Sequence, residues 1–283
     1  MANTLRELIQ TESFWIDFLH EIVESSPLLK TQRLFPENWQ RFYNKAARVF
    51  ELLWGDTEQL GLKLVQFMLQ EGILNPEDSV LEVGCGTGWL SLALARKVNS
   101  LIALDYSPAM LNIFRLKAVK HNVTNVEIVC DNFHSFTPDH PVDVAIAAFF
   151  PDAFSPEGIR RLESYARKFC VLVLQHSRRG FNVTQKLFEN ITRETLSPLG
   201  ALLLQWCIGY LLNKGKFPEV RKWRWESEIN ITGPELLEFY RAYFEIFGFD
   251  SNTVERAFRE LNITDISTTI TTDLAIIWWS KES

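Results

Sequence analysis

A chain of 283 residues has room for one large domain or two small ones. Hydrophobic residues make up 47% and charged residues 23%, which excludes a disordered, collagen-like or coiled-coil chain. The net charge of −6 repels nucleic acid and anionic lipid over the molecule as a whole, so a patch for either would have to be local.

The N-terminal stretch carries acids and no cationic start, so it is not a secretory signal. Leu5, Leu8, Ile9, Trp15, Leu19 and Ile22 recur at helical spacing, and Pro27 closes that stretch. A second helix is predicted from about Pro36 to Trp54, with Trp39, Phe42, Tyr43, Ala46, Val49, Phe50 and Leu53 on one face. A third starts at the N-cap Asp56 and ends near Gly72. After Asn75-Pro76 the rhythm changes. SVLEVG, LIALD, VEIVC, VDVAIAA and FCVLVLQ read as strands. Between them stand helices at Trp89 to Val98, Pro108 to Lys120 and Pro156 to Lys168. Ser107-Pro108, Ser155-Pro156 and Ser197-Pro198 each read as a helix start, serine capping and proline at the first position. Leu199 to Leu212 is too short to cross a bilayer and reads as a buried helix. RKWRWESEINI is a strand, Thr232-Gly-Pro-Glu235 opens helices that run to about Asn262, and TTITTDLAIIWWS is a last strand that can pair antiparallel. The pattern implies an α/β fold: a mostly parallel Rossmann-like sheet with helices on both faces.

Cys85, Cys130, Cys170 and Cys207 are far apart, with no metal-ligand spacing, and are read as buried free thiols in a reducing, cytoplasmic compartment. Matches to N-x-T such as Asn182-Val-Thr184 are then chance.

The chemistry concentrates in Leu81-Glu82-Val83-Gly84-Cys85-Gly86-Thr87-Gly88-Trp89, which follows a strand and opens a helix. A dinucleotide loop would space its glycines G-x-G-x-x-G; here the spacing is G-x-G-x-G and Trp89 takes the place of the last glycine. Glu82 would repel a pyrophosphate and attract an ammonium or sulfonium.

This loop resembles motif I of the class I S-adenosylmethionine (SAM)-dependent methyltransferases, stand-alone and small-molecule in type. The likeness continues at successive strand ends, from about Asn38 to the C-terminus. It implies a seven-stranded sheet with an antiparallel C-terminal strand, a helical lid over residues 1–55, and a core over 56–283 with helical cover at about 182–215. SAM would lie against Glu82, Gly84, Cys85, Gly86 and Gly88. Asp105 would accept both ribose hydroxyls, with Tyr106 beside it. Met110 would pack near the adenine, Asp131, Asn132 and Phe133 would clamp it, and Ala148 would line the methyl-transfer position. The family's N-P-P-[FY] tetrad is absent; Phe149-Phe150-Pro151-Asp152 stands there instead. No metal is expected.

On the acceptor side, ligands of such sheets bind outside the carboxyl ends of the strands. That selects Tyr43 on the lid, Phe149 after the fourth strand, and His176 and Arg178 after the fifth. Trp206 would roof the pocket from the apolar helix. His176 is the candidate general base and Arg178 a handle for an anion. The competing readings are an RNA or protein methyltransferase, a SAM-binding protein without turnover, and a nicotinamide-dependent oxidoreductase, which Trp89 argues against. The expected partner is a small-molecule substrate, with no membrane and no nucleic acid, the chain being a monomer or homodimer.

Overall fold

Asn75-Pro76 does mark the passage from helices to sheet in the structure, a computed structural model that describes residues 7, 9–197 and 199–281. Strands β1 (Ser79–Val83), β2 (Ser100–Asp105), β3 (Val126–Cys130), β4 (Val142–Ala148) and β5 (Ala166–Arg179) run parallel. With β6 (Glu219–Ile231) and β7 (Ile266–Ser280) they form one seven-stranded sheet in the order β3-β2-β1-β4-β5-β7-β6. The long β7 lies antiparallel between β5 and β6. Strand order reverses between β1 and β4, which opens a crevice at their carboxyl ends.

The helices are α1 (Glu12–Glu24), α2 (Pro27–Leu34), α3 (Pro36–Ala46), α4 (Thr57–Gln70), α5 (Trp89–Ala95), α6 (Pro108–Lys120), α7 (Pro156–Tyr165), α8 (Val183–Thr192), α9 (Gly200–Asn213), α10 (Gly233–Glu245) and α11 (Ser251–Glu260). Alternate strand residues feed two cores. Leu81, Val83, Ala145 and Leu172 meet α7, α9 and Ile22 of α1 on one face. Val80, Val144, Ile146 and Val171 meet α4 and α5 on the other. A third core joins α3, α8, α10 and α11 to the ends of β6 and β7. Thr232 and Glu235 form the capping box that opens α10.

Several boundaries differ from the sequence reading, each for a local reason. Pro27 ends one helix but opens the next: Ser26 caps Leu29 N–H and proline takes the first position of α2. The predicted Pro36 to Trp54 helix breaks after Ala46, and Phe50–Trp54 is a separate 3-10 turn ended by Gly55 at φ 71°. Helix α5 stops at Ala95 because Lys97 and Val98 N–H both turn back to the Leu94 carbonyl. Helix α7 stops at Tyr165, since Ala166 goes extended and pairs with Val142. Pro198 lies outside the described residues, as do Leu5 and Leu8. Helix α9 starts without a serine cap, at Gly200, which packs so close to the Gln175 and His176 backbone that a Cβ would collide. Strand β5 continues past Gln175 through His176-Ser177-Arg178-Arg179, which were expected to follow the strand, because β7 is long enough to pair with it. All four cysteines are free, but Cys130 is exposed at the end of β3.

Candidate active site

The glycine loop turns because Gly84, Gly86 and Gly88 all adopt positive φ, at 68°, 53° and 80°. Gly84 is packed by the Phe150 ring and Gly88 by the Phe114 ring, so at both the missing Cβ makes room for protein. Gly86 is different. Nothing lies within 4 Å of where its Cβ would be. Its backbone borders free space, the cradle a ligand would need. Cys85 N–H donates to the Leu104 carbonyl at 3.0 Å and moors the loop to β2. The Cys85 thiol is buried, and burial raises its pKa, so it is no nucleophile.

Asp105 ends β2 and braces this loop. One carboxylate oxygen accepts Gly86 N–H and the other accepts Ser107 N–H, both at 2.8 Å. Each oxygen keeps lone-pair capacity for a hydroxyl. Burial raises its pKa, against the pull of those backbone donors. Glu82 is 1% exposed and takes a bond from the Ser91 hydroxyl. Burial pushes it up to about 8, well above the usual carboxylate range. Met110 is buried in the first turn of α6, its N–H on the Ser107 hydroxyl.

At the end of β3, Asp131 accepts Asn132 N–H at 2.6 Å and the Asn132 side chain accepts His134 N–H, forming an exposed turn. Phe133 is buried beneath it, edge-on to Phe150 at 5.3 Å and to Tyr165 at 6.0 Å. His134 Nε2 stands 3.5 Å from Asp152, joining this turn to the loop after β4. The bond to Asp152 raises the pKa of His134.

Helix α3 covers the end of β2. Gln40 donates to the Tyr106 carbonyl at 2.8 Å, and Asn44 Oδ1 accepts the Ser107 hydroxyl at 2.8 Å and Ala109 N–H at 3.3 Å. Between them Tyr43 meets Tyr106, ring centroids 6.1 Å apart. Burial raises the phenol pKa of both, and the charges of Asp105 and Asp152 add to it. In the 3-10 turn, Glu51 holds Lys117 at 2.6 Å and takes the Thr87 hydroxyl, tying the cover to the glycine loop.

At the end of β4, Ala148 points into the core under α4 and α5, so only its backbone borders the crevice. Phe149 follows in a left-handed conformation, φ 53°, unusual for an aromatic residue. Its ring lies between Trp54, at 4.9 Å, and Trp89, at 5.7 Å. The Arg178 guanidinium lies 5.4 Å from the Trp54 ring and 5.2 Å from Phe181. His176 sits at a bulge in β5, with Nδ1 buried and without a partner. Trp206 is fully buried. Its indole donates to the Trp15 carbonyl at 2.8 Å and its ring stacks on Tyr210, so it presents no surface to an acceptor.

The structure thus gathers Glu82, Gly84, Cys85, Gly86, Gly88, Asp105, Tyr106, Asp131, Asn132, Phe133, Tyr43 and Phe149 around one crevice, and leaves Trp206 in the core. Sequence reasoning missed Gln40, Asn44, Glu51, Trp54 and His134. Gln40 and Asn44 do carry a signal: two amides at i and i+4 beside an apolar face. The donor set fits SAM: an open glycine backbone, a carboxylate at the adjoining strand end, and a second carboxyl below the loop.

Comparison with known proteins points to methyltransferases. The family described as "Methyltransferase domain" matches residues 80–169. The "Probable ribosomal RNA small subunit methyltransferase A" of Methanosphaera stadtmanae is 26% identical over 39% of this chain and 40% of its own. Protein-L-isoaspartate O-methyltransferase 1 of a Polaromonas species is 26% identical over 47% of this chain and 56% of its own. The chain therefore spans only about half, or less, of the length of these curated relatives. The YcgJ protein of Bacillus subtilis has a similar fold, with a TM-score of 0.50 at 17% identity, over 78% of this chain and 98% of that one.

Proposed function

We propose that this chain, a class I SAM-dependent methyltransferase, transfers a methyl group to a small-molecule acceptor. One observation carries the choice of acceptor. At the carboxyl end of β4, Phe149 stacks between Trp54 and Trp89, so an acceptor reaching that edge would meet an aromatic surface. SAM bound in the crevice supplies an activated methyl group on a sulfonium, a leaving group that needs no protein acid. The chain's own residues position and exclude water. Asp105 takes the ribose hydroxyls, and Asp131 with the Asn132 backbone takes the adenine edge. Glu82, buried below the loop, would give up its proton when the ligand's ammonium lies above it, and so balance that charge. Tyr43 and Trp54 close over the reacting groups. His176, whose Nδ1 lacks a partner, is the residue assigned as base where the nucleophile must lose a proton of high pKa. The four free thiols suit a reducing compartment such as the cytoplasm.

A second reading, RNA as acceptor, draws support from the ribosomal RNA methyltransferase among the relatives. Against it, the basic residues Arg179, Lys222 and Arg224 all converge on the carboxylate of Asp273, which partly spends their charge.

Calorimetry with SAM, S-adenosylhomocysteine and NAD, followed by methyl-transfer assays on small molecules, RNA and peptides, tests both readings. Asp105→Ala should weaken SAM by about one to two orders of magnitude, since hydrogen bonds to charged groups are worth roughly 1.5–3 kcal/mol. Unchanged affinity for SAM and S-adenosylhomocysteine would sink the assignment, and turnover of RNA alone would replace the small-molecule reading.

A further inference from the structure

Three buried polar atoms without a hydrogen-bond partner fall in one row across the sheet. They are Arg178 Nε, Thr272 Oγ1 and Trp225 Nε1. Arg178 on β5 pairs with Thr272 on β7, and Thr272 pairs with Trp225 on β6. Directly paired residues on neighbouring strands share a face, so the three side chains leave the sheet side by side. The bulge at His176 creates this row. Gln175 pairs with Leu274 and Ser177 with Asp273, so the chain advances two residues against one. Arg178 is thereby turned to the face of Trp225, and Ser177 and Arg179 to the face of Asp273, where both are bonded.

The chemistry of the row is that of an acceptor-seeking site. Arg178 Nε–H and the Trp225 indole N–H can only donate, and the Thr272 hydroxyl can donate as well. Thr272 is 2% exposed and Trp225 8%. Among the described residues no carboxylate pairs with Arg178, whose remaining bond is from Nη2 to the Leu53 carbonyl. The Lys63 ammonium stands 5.0 Å from the Trp225 ring and adds positive charge. Donors and charge buried without a counterpart are costly, so such a row favours an anion. Trp54 spans from the Arg178 guanidinium to Phe149, at the end of β4.

We propose that Arg178, Thr272 and Trp225 bind the carboxylate of the methyl acceptor, whose body extends along Trp54 and Phe149 toward the end of β4. This rests on the methyltransferase reading and narrows its substrate class to carboxylic acids. It also gives the bulge at His176 a positioning role, that of turning Arg178 inward.

The test is direct binding to the full chain saturated with S-adenosylhomocysteine, read by calorimetry and tryptophan fluorescence. The probes are benzoate, its neutral counterpart benzamide, and acetate. Benzoate should bind about tenfold or more tightly than benzamide, as expected for charge-assisted bonds. Arg178→Gln, and the milder Trp225→Phe, which keeps the ring, should each weaken benzoate about tenfold while S-adenosylhomocysteine affinity stays within about threefold. Equal binding of benzoate and benzamide, no binding of either, or full benzoate affinity in both variants would overturn the proposal. Acetate binding as tightly as benzoate would also overturn it, since the row would then be a site for free anions. The S-adenosylhomocysteine titration is a separate readout: its failure counts against the methyltransferase reading, whatever benzoate does.

Discussion

A carboxyl group sealed beneath the glycine loop, with a serine hydroxyl as its partner, keeps its proton into the neutral range. Glu82 ordinarily ionises near 4.5 and is pushed up to about 8 by burial, with Asp105 adding repulsion. Between those values the folded chain binds more protons than the unfolded one, so this group's contribution to stability falls as pH rises. Glu82→Gln removes the ionisation. The variant should unfold at a higher temperature than wild type at pH 8.5, by about 1–3 kcal/mol of stability, and the gap should close near pH 4.5. Parallel pH profiles of the two melting temperatures would refute this. SAM should bind the variant more weakly, because the amide cannot ionise to meet the ligand's ammonium. Gly86 makes a second residue-scale case. Its φ of 53° and the open space at its Cβ position mean that Gly86→Val strains the turn and fills the cradle. Calorimetry should find no SAM binding to a folded Gly86→Val chain, and wild-type affinity would displace the cofactor from this loop.

The cover over the crevice is built from two short elements rather than the single helix that apolar spacing suggested. Trp39, Phe42, Val49 and Leu53 keep a helical period because α3 and the 3-10 turn both pack on one core; periodicity does not record the break between them. The strands were more legible, since β1, β2 and β3 each end at or beside a residue that breaks the apolar run, Gly84, Asp105 and Asp131. Glycine spacing and strand-end carboxylates are local signals, so the proposed cofactor side could be read along the sequence. Arg178 could be picked out as a basic residue after the fifth strand, but its neighbours on the sheet could not. Arg178 faces Trp225 only through a bulge and two long-range strand pairings, which no window of sequence contains. The hold of the cover on the glycine loop runs through Glu51, which takes Thr87 and Lys117 together. Glu51→Gln should loosen residues 47–55, seen as faster proteolysis there in the ligand-free protein, with S-adenosylhomocysteine restoring most of the protection. Identical cleavage in wild type and variant would mean that the aromatic packing alone holds the cover. A further tie, His134 to Asp152, joins the β3 turn to the loop after β4. Because the pKa of His134 is raised above its ordinary 6.5, its contribution is complete below that value and is lost as pH rises through the folded value.

At the scale of the whole molecule, the N-terminal helices are part of the cores they border. Helix α1 lies against α9 on the sheet face away from α4: Ile22 enters the core under that face, Trp15 receives the Trp206 indole N–H, and Gly209 packs on the Trp15 ring. Helix α3 and the 3-10 turn supply Trp39, Phe42, Val49 and Leu53 to the core they share with α10 and α11, and Lys45 and Arg48 pair with Glu245 and Glu238 at its rim. The rim pairs are exposed and contribute little. The apolar side chains decide the matter. Each fully buried one is worth about 1.5–3 kcal/mol, so Ile22, Trp39, Phe42, Val49 and Leu53 together rival the net stability of a domain, about 5–15 kcal/mol. A chain lacking residues 1–55 should therefore lose cooperative unfolding, bind hydrophobic dyes and fail to bind S-adenosylhomocysteine. A dispensable lid predicts the opposite: a truncated chain with a sharp thermal transition and cofactor affinity near wild type. Circular dichroism melts with calorimetry on the truncated chain separate the two. A sharp transition would mean that opening for SAM moves the whole N-terminal unit. Its loss would confine opening to the segment around Phe50–Trp54, pivoting at Gly55, where a side chain would collide with Ser227.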